Sequence, residues 1–532
     1  MSTSAPMQKI TALADLAEAR PQRIKLGDTS ILLIRSGDTV HAFGADCPHA
    51  GAPLEEGAVC NGRLICPWHK GTFDIATGAL VEPPPLLPLT RYPVRIDGGD
   101  VLVSTSATEP AEAEAEAPRV RTQASSNENA AGARVFAVVG AGAAGAAACA
   151  ALREFGYRDR IVLIDDEAGT PYDRTVLSKF VPSGDMAPDD VPPLLPDDYF
   201  EHHRIERIAA RVTRLDAERR EIGFAAAPSI RYDAALVATG GTPKRPALRG
   251  ADHPAVKDRL LMLRNRADSA KLVAMAEHSA HVVVLGGSFI GLEIASSLGK
   301  RKLRVTVVSP ESVPFEKQFG AELGRLFMRL HEANGTEFRM NAHIDAVDPG
   351  EPLSAILTNG DTLRCDFIVV GTGVTPATDF ISGVTRNEDG GLNVDASMRA
   401  AEGLYAAGDI AAFMHGDGKR IRIEHWRVAQ QLARSAARAM VGLPAAQAPV
   451  PFFWTYHFDK TFEYLGHAKT WDETVMSGTP DTYEFIALLC KHGYVAAVVG
   501  CSRERHMGLL AEALREPLSR DDALRLIGGS AH

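Results

Sequence analysis

The chain has 532 residues and a formal net charge of −10 with no basic run. That is length for about three or four domains of roughly 150 residues each, and a poor surface for nucleic acid or an anionic membrane. No apolar stretch approaches the ~18 residues that span a bilayer, and the opening MSTSAPMQKI lacks the pattern of a secretory signal, so a cytoplasmic protein is expected.

From the N-terminus to residue 103, short apolar runs such as ILLI at 31–34 and VLV at 101–103 are separated by Gly, Asp and Pro turns, which predicts an all-β module. Within it, Cys47-Pro-His49 and Cys66-Pro-Trp-His69 stand in CPHAG and CPWHKG, sequences suited to two tight loops. Two thiolates and two imidazoles are the donor set of a Rieske [2Fe–2S] centre, where His replaces Cys on one iron. Zinc accepts the same ligands. A zinc finger, however, usually pairs Cys with Cys and His with His, whereas each loop here supplies one of each, so Cys47, His49, Cys66 and His69 are read as cluster ligands. The other cysteines (Cys60, Cys149, Cys365, Cys490 and Cys501) are scattered without a CxxC and are read as packing residues of a protein from a reducing compartment. Residues 104–133, nearly free of large apolar side chains, are expected to form a flexible linker with a span of roughly 30 Å, holding the module near the next domain without fixing it.

Beyond residue 133 strand and helix signals alternate. RVFAVV at 134–139 leads into Gly140-Ala-Gly142-Ala-Ala-Gly145 and an Ala-rich helix, and IVLI at 161–164 ends in Asp165-Asp166-Glu167. This is the βαβ dinucleotide fingerprint: glycines admit a pyrophosphate to the helix N-terminus, and an acid at the strand end, Asp165 or Asp166, can hold a ribose. A second copy runs from HVVVL at 281–285 through Gly286-Gly-Ser288-Phe-Ile-Gly291-Leu-Glu293 to VTVV at 305–308. Ser288 replaces the middle glycine and is expected to crowd the backbone slightly. Ser309-Pro310-Glu311 then offers Glu311 and no Arg, which disfavours a 2′-phosphate and points to NADH over NADPH. Two sites imply a bound flavin and a passing nicotinamide cofactor.

Further segments carry a likeness: PYDRTVLSK at 171–179, ATGGTP at 238–243, GTGVTP at 371–376, LYAAGD at 404–409, His425-Trp426, and PFFW at 451–454. They resemble the ferredoxin reductases of aromatic-ring dioxygenase and cytochrome P450 systems, a family that includes apoptosis-inducing factor. With the β-module in front, the chain is most similar to the Rieske-containing, apoptosis-inducing-factor-like oxidoreductases. The resemblance implies a multidomain architecture: an all-β Rieske domain (1–103), α/β glutathione-reductase-like FAD (134–252 and 372–448) and NAD(P)H (253–371) domains, and a small α+β C-terminal domain (449–532), as monomer or homodimer. It places Arg174 and Lys179 on FAD despite Thr175-Val176 where the family has two prolines, and favours Asp166 for the adenosine ribose, at the family's distance from Pro171-Tyr172. It also implies Thr239, Gly240 and Gly373 in the returning chain, Asp409 on the ribityl tail, His425, Trp426 and Trp454 beside the isoalloxazine, and Glu293 on the nicotinamide. Plainer roles stand beside these: surface cations for Arg174 and Lys179, a helix N-cap for Asp409, core packing for the tryptophans, a helix-surface acid for Glu293.

The first FAD segment has no CxxxxC pair, so electrons need another exit. The expectation is hydride from NADH to FAD, with Lys179, Glu293 and Trp426 as the catalytic set, then single electrons through the cluster to a redox protein such as an oxygenase or P450. His49 and His69 are expected on the solvent side, where that acceptor docks. The alternative is a redox-regulated binding protein of low turnover.

Overall fold

In the computed structural model the described residues are 6–108, 134–167, 169–415 and 418–528. The linker expectation for 109–133 therefore lies outside them. The β-module runs past residue 103, since strand Asp100–Ser104 closes on Met7–Ala12 and Thr108 pairs with Arg91.

Its alternating short strands form antiparallel sheets, and one small sheet carries the proposed ligands. Ala58–Cys60, Arg63–Ile65, Thr72–Asp74 and Leu80–Glu82 pair in sequence order. One ligand loop precedes its first strand and the other joins its second to its third. Cys47 and Cys66 are buried in one cluster with Leu32, Phe43, Leu54, Leu64 and Phe73, so the apolar core fixes both loop bases.

The Val-, Ile- and Ala-rich runs of the middle region become two parallel sheets, as runs buried on both faces should. In the first, Val135–Val139 lies between Arg160–Asp165 and Ala234–Val237, and Leu404–Ala406 extends it. In the second, His281–Leu285 lies between Arg304–Ser309 and Phe367–Val370. The small side chains of helix Ala143–Glu154 let it pack into one core with helix Trp426–Met440. The C-terminal domain is a five-stranded antiparallel sheet backed by Glu504–Ala513 and Arg520–Leu526.

The β-module is seated firmly on the rest of the chain. Arg427, only 3 % exposed, donates from Nε to Pro83 O at 2.7 Å and from Nη2 to Lys70 O at 3.1 Å. Glu82 accepts from Gln431 at 2.6 Å and from Arg515 at 2.7 Å, and Arg63 reaches Glu512 at 2.6 Å. Lys70 and Glu463 pair at 2.5 Å, with side chains 0 % and 3 % exposed. Leu86 joins the buried cluster of the first parallel domain. Where the composition of the linker suggested a loosely held module, buried charges with partners on both sides of the joint hold it in one orientation.

Candidate active site and cluster ligands

Both fingerprints fold as the sequence requires. A Cβ on Gly145 would meet Gly140 O at 1.8 Å, and one on Gly291 would meet Gly286 O at 2.3 Å, so each helix sits directly on its strand turn. A Cβ on Gly142 would meet nothing within 4 Å, leaving an open cradle at the N-terminus of helix Ala143–Glu154. Ser288 does not crowd its loop. Its Oγ turns inward, donating to Gly371 O at 2.7 Å and accepting from Gly291 N at 3.2 Å, and so caps helix Phe289–Lys300.

A cleft of about 1330 Å³ opens between the domains and brings together Gly140, Gly142, Asp166, Arg174, Lys179, Thr239, Gly240, Glu293, Asp409, His425, Trp426 and Trp454. Gly145 lies beneath its floor, while Gly286, Ser288, Gly291, Glu311 and Gly373 lie outside its lining, most of them at the ends of the second parallel sheet. Lys179 and Glu293 are not surface residues: their side chains are 6 % and 5 % exposed and pair at 3.0 Å. Ser178 donates to the same Glu293 oxygen, and Lys179 lies 5.9 Å from the Trp454 ring centre. Asp409 caps no long helix. It sits in the short turn Gly408–Ile410 facing Arg264 at 3.9 Å, and burial raises its carboxyl against the opposing pull of Arg264, Arg422 and Arg174.

The acidic strand end differs from expectation in one respect. Asp166 is exposed at the rim, with Arg211 at 4.0 Å, whereas Glu167 turns inward to bind Tyr172 Oη and Arg174 Nη2, the latter at 2.7 Å. Glu167 thus sets the Arg174 guanidinium, which also donates to Arg264 O at 3.1 Å. The pairing depends on the fold of 171–174, and nothing in the local pattern distinguishes the three adjacent acids.

The residues fit an FAD. His425 Nδ1 and Trp426 Nε1 are buried in the cleft wall without partners, Gly142 leaves room for a pyrophosphate, and cations flank the site. The four cluster ligands fit an N₂S₂ donor set. His49 Nδ1 and His69 Nδ1 converge to 3.1 Å, and Cys47 and Cys66 are both buried, free thiols. Burial, reinforced by His49, Lys70 and Lys179, pushes His69 well below its ordinary value, which favours the neutral imidazole that a metal ligand needs.

The two imidazoles do not face solvent as expected. His69 packs on Trp454 with ring centres 4.0 Å apart, and His49 Nε2 lies 3.8 Å from Asp173 Oδ2 in the PYDR segment. The polar joint around Lys70, Glu463 and Arg427 clamps the His69 loop against the reductase, and His49 on the other loop meets Asp173. On the second loop Trp68, 42 % exposed, points outward at the tip.

The pyridine nucleotide-disulphide oxidoreductase family model matches residues 135–433, more than half of the chain. The chain belongs to that family. The Rieske [2Fe-2S] domain model matches residues 7–93 and the reductase C-terminal model residues 452–524. Apoptosis-inducing factor 3 of Homo sapiens is 31 % identical over 509 residues, covering 94 % of this chain and 82 % of that protein. The ferredoxin reductase for the CYP199A2 system from Rhodopseudomonas palustris superposes with a TM-score of 0.68 at 27 % identity, over 73 % of this chain and 96 % of that one. Putidaredoxin reductase, solved in covalent complex with putidaredoxin, shares the fold with a TM-score of 0.69 at 21 % identity, over 74 % and 96 %. This member of the family is a ferredoxin-reductase-like, FAD-binding oxidoreductase with its own Rieske domain. No cysteine lines its cleft among the described residues. Nor is any described helix long and apolar enough to cross a membrane.

Proposed function

We propose that the chain oxidises a nicotinamide cofactor, NADH in preference to NADPH, and delivers the electrons singly through its own Rieske centre to a protein acceptor such as an oxygenase or P450. The observation that carries this reading is the contact of His69 with Trp454, since Trp454 belongs to the cleft wall and His69 to the cluster loop. When bound, FAD takes an electron pair as hydride and gives electrons up singly, and the cluster takes one at a time.

The chain's own side chains have definable tasks. The Gly142 cradle and the helix behind it would receive the pyrophosphate of a bound FAD, and Asp409, in the cleft lining, would hold its ribityl tail. Lys179, held by Glu293 and by Thr175 O at 3.0 Å, presents a fixed positive charge to the cleft where negative charge accumulates on reduction. Trp426 and Trp454 wall the cleft, and the seated β-module covers the Trp454 side.

Replacing Cys66 by Ala tests the reading. Anaerobic NADH should still bleach the flavin absorbance, while reduction of cytochrome c or another one-electron acceptor is lost. Acceptor reduction at the parental rate would overturn the internal chain. The relationship to a protein named apoptosis-inducing factor 3 keeps a second reading in play, a redox-regulated binding protein. Slow turnover with a long-lived NADH-reduced form would favour it.

A further inference from the structure

A file of buried polar side chains leads away from the cleft, between the nicotinamide and C-terminal domains. Glu293 Oε1 accepts from Thr455 Oγ1 at 2.7 Å, Thr455 Oγ1 lies 2.8 Å from His457 Nε2, and His457 Nδ1 lies 3.2 Å from His331 Nε2. Thr455 is 1 % exposed and both histidines 0 %. At the inner end His331 Nδ1 has no partner, and the rings of Phe338 and Phe458 stand around it, with centres 6.0 and 5.0 Å away. His331 comes from helix Glu316–Ala333, Thr455 and His457 from strand Phe452–His457, and Glu293 from helix Phe289–Lys300. Neither histidine lines the cleft.

With both imidazoles neutral, such a file has two fully bonded hydrogen arrangements, and the Glu293 end selects between them. With Glu293 as carboxylate, Thr455 O–H donates to it, His457 Nε2–H donates to Thr455, and His331 Nε2–H donates to His457 Nδ1. With a proton on Glu293 Oε1, that O–H donates to Thr455, Thr455 donates to His457 Nε2, His457 Nδ1–H donates to His331 Nε2, and His331 keeps its hydrogen on Nδ1. Thr455, His457 and His331 carry three hydrogens in both arrangements, so one proton is added at Glu293 and none elsewhere.

We infer that Glu293 is the proton-holding residue of the cleft and that Thr455, His457 and His331 are positioning residues that satisfy both of its ionisation states by a paired tautomer change. Glu293 needs this because Lys179 and Ser178 already occupy its other oxygen and its side chain is only 5 % exposed. Burial pushes His331 down to about 3 and His457 well below its ordinary value, consistent with imidazoles that change tautomer without becoming charged. The use of the file rests on the reading of the cleft as a site of NADH oxidation. A hydride is one proton and two electrons, so when both electrons leave through the cluster, one proton per NADH stays behind at the wall where Glu293 stands.

The test reads tautomers by long-range ¹H–¹⁵N NMR on the full-length, ¹⁵N-histidine-labelled protein, with His331→Gln and His457→Gln for assignment. At neutral pH both rings should be Nε2–H. In Glu293→Gln, Lys179 and Ser178 keep the amide oxygen on their side, so the amide NH₂ donates to Thr455 and both rings should switch to Nδ1–H. With Thr455→Val the link is cut, so the ring tautomers should be the same whether residue 293 is Glu or Gln. Unchanged tautomers in Glu293→Gln would overturn the inference. The parental protein supplies a measurement free of any folding defect. As pH is lowered, both rings should switch together and stay neutral, with Lys179, the two histidines themselves and His69 of the facing loop as the charged or titratable neighbours. An imidazolium at either position, or a switch in only one ring, would overturn it. Because no NADH is added, failure here leaves the proposed activity standing, and loss of NADH oxidation leaves the tautomer result standing.

Discussion

The Lys70 ammonium and the Glu463 carboxylate, 393 positions apart in sequence, meet at 2.5 Å with almost no access to water. Lys70 directly follows the ligand His69, and its neighbours Cys66 and Gly71 close the loop through a backbone bond of 2.8 Å. The C-terminal domain therefore grips the cluster loop itself.

This pair predicts an asymmetric mutational cycle. Glu463→Leu alone strands a buried ammonium and should cost about 3–5 kcal/mol, whereas Lys70→Met combined with Glu463→Leu should recover most of that loss. Chemical denaturation of the parent, both single variants and the double variant measures it. A double variant as unstable as Glu463→Leu would show that the pair does not act as a unit.

Trp454 is predicted to matter after the flavin rather than before it. Trp454→Leu should slow reduction of the cluster by about tenfold or more, equivalent to about 1.4 kcal/mol of barrier, and change the rate of flavin reduction by NADH much less. Stopped-flow absorbance separates the two phases, and Trp454→Phe should lie between parent and Leu. Equal slowing of both phases would place Trp454 in nicotinamide binding instead.

Acid should destabilise the fold through its buried imidazoles. Burial holds His331 and His425 at about 3, while in the unfolded chain each takes up a proton near 6.5. Between those values the unfolded state binds more protons, so stability is fully present above about 6.5 and falls with pH, by up to about 1.4 kcal/mol per unit for each group. Urea titrations at pH 7 and pH 5 should show this, and His331→Gln should flatten the slope by about one group's share. An identical slope in that variant would mean that His331 is already charged in the native state.

Glu311, after strand Arg304–Ser309, is half-buried with Lys317 at 4.0 Å. If it holds the ribose of NADH, Glu311→Ala should raise KM for NADH about tenfold, near 1.4 kcal/mol, and leave KM for NADPH nearly unchanged. Steady-state kinetics with both cofactors decides it, and equal changes for the two would remove Glu311 from the ribose site.

Much of this was legible because it is local. Gly140 to Gly145 and Gly286 to Gly291 must sit beside their strands, Cys47 to His49 and Cys66 to His69 must share loops, and each announces itself within a few residues. The seating of the β-module was not legible, because its determinants are pairs such as Arg427 with Pro83 and Arg515 with Glu82, with no periodic or motif signal at either end. For the same reason His49 and His69 were expected toward solvent. The choice of Glu167 for Arg174, and the meeting of His331 with His457, likewise depend on tertiary placement alone.

Strand Phe452–His457 gives the arrangement a further consequence. Successive side chains on a strand point to opposite faces. Trp454, on the even-numbered face, meets the cluster loop, and Thr455 and His457, on the odd-numbered face, meet Glu293 and His331. One edge strand thus keeps the contact with the cluster loop and the file of buried polar side chains on separate sides of a single backbone. A slip of one residue in its pairing with Lys460–Gly466 would exchange the two.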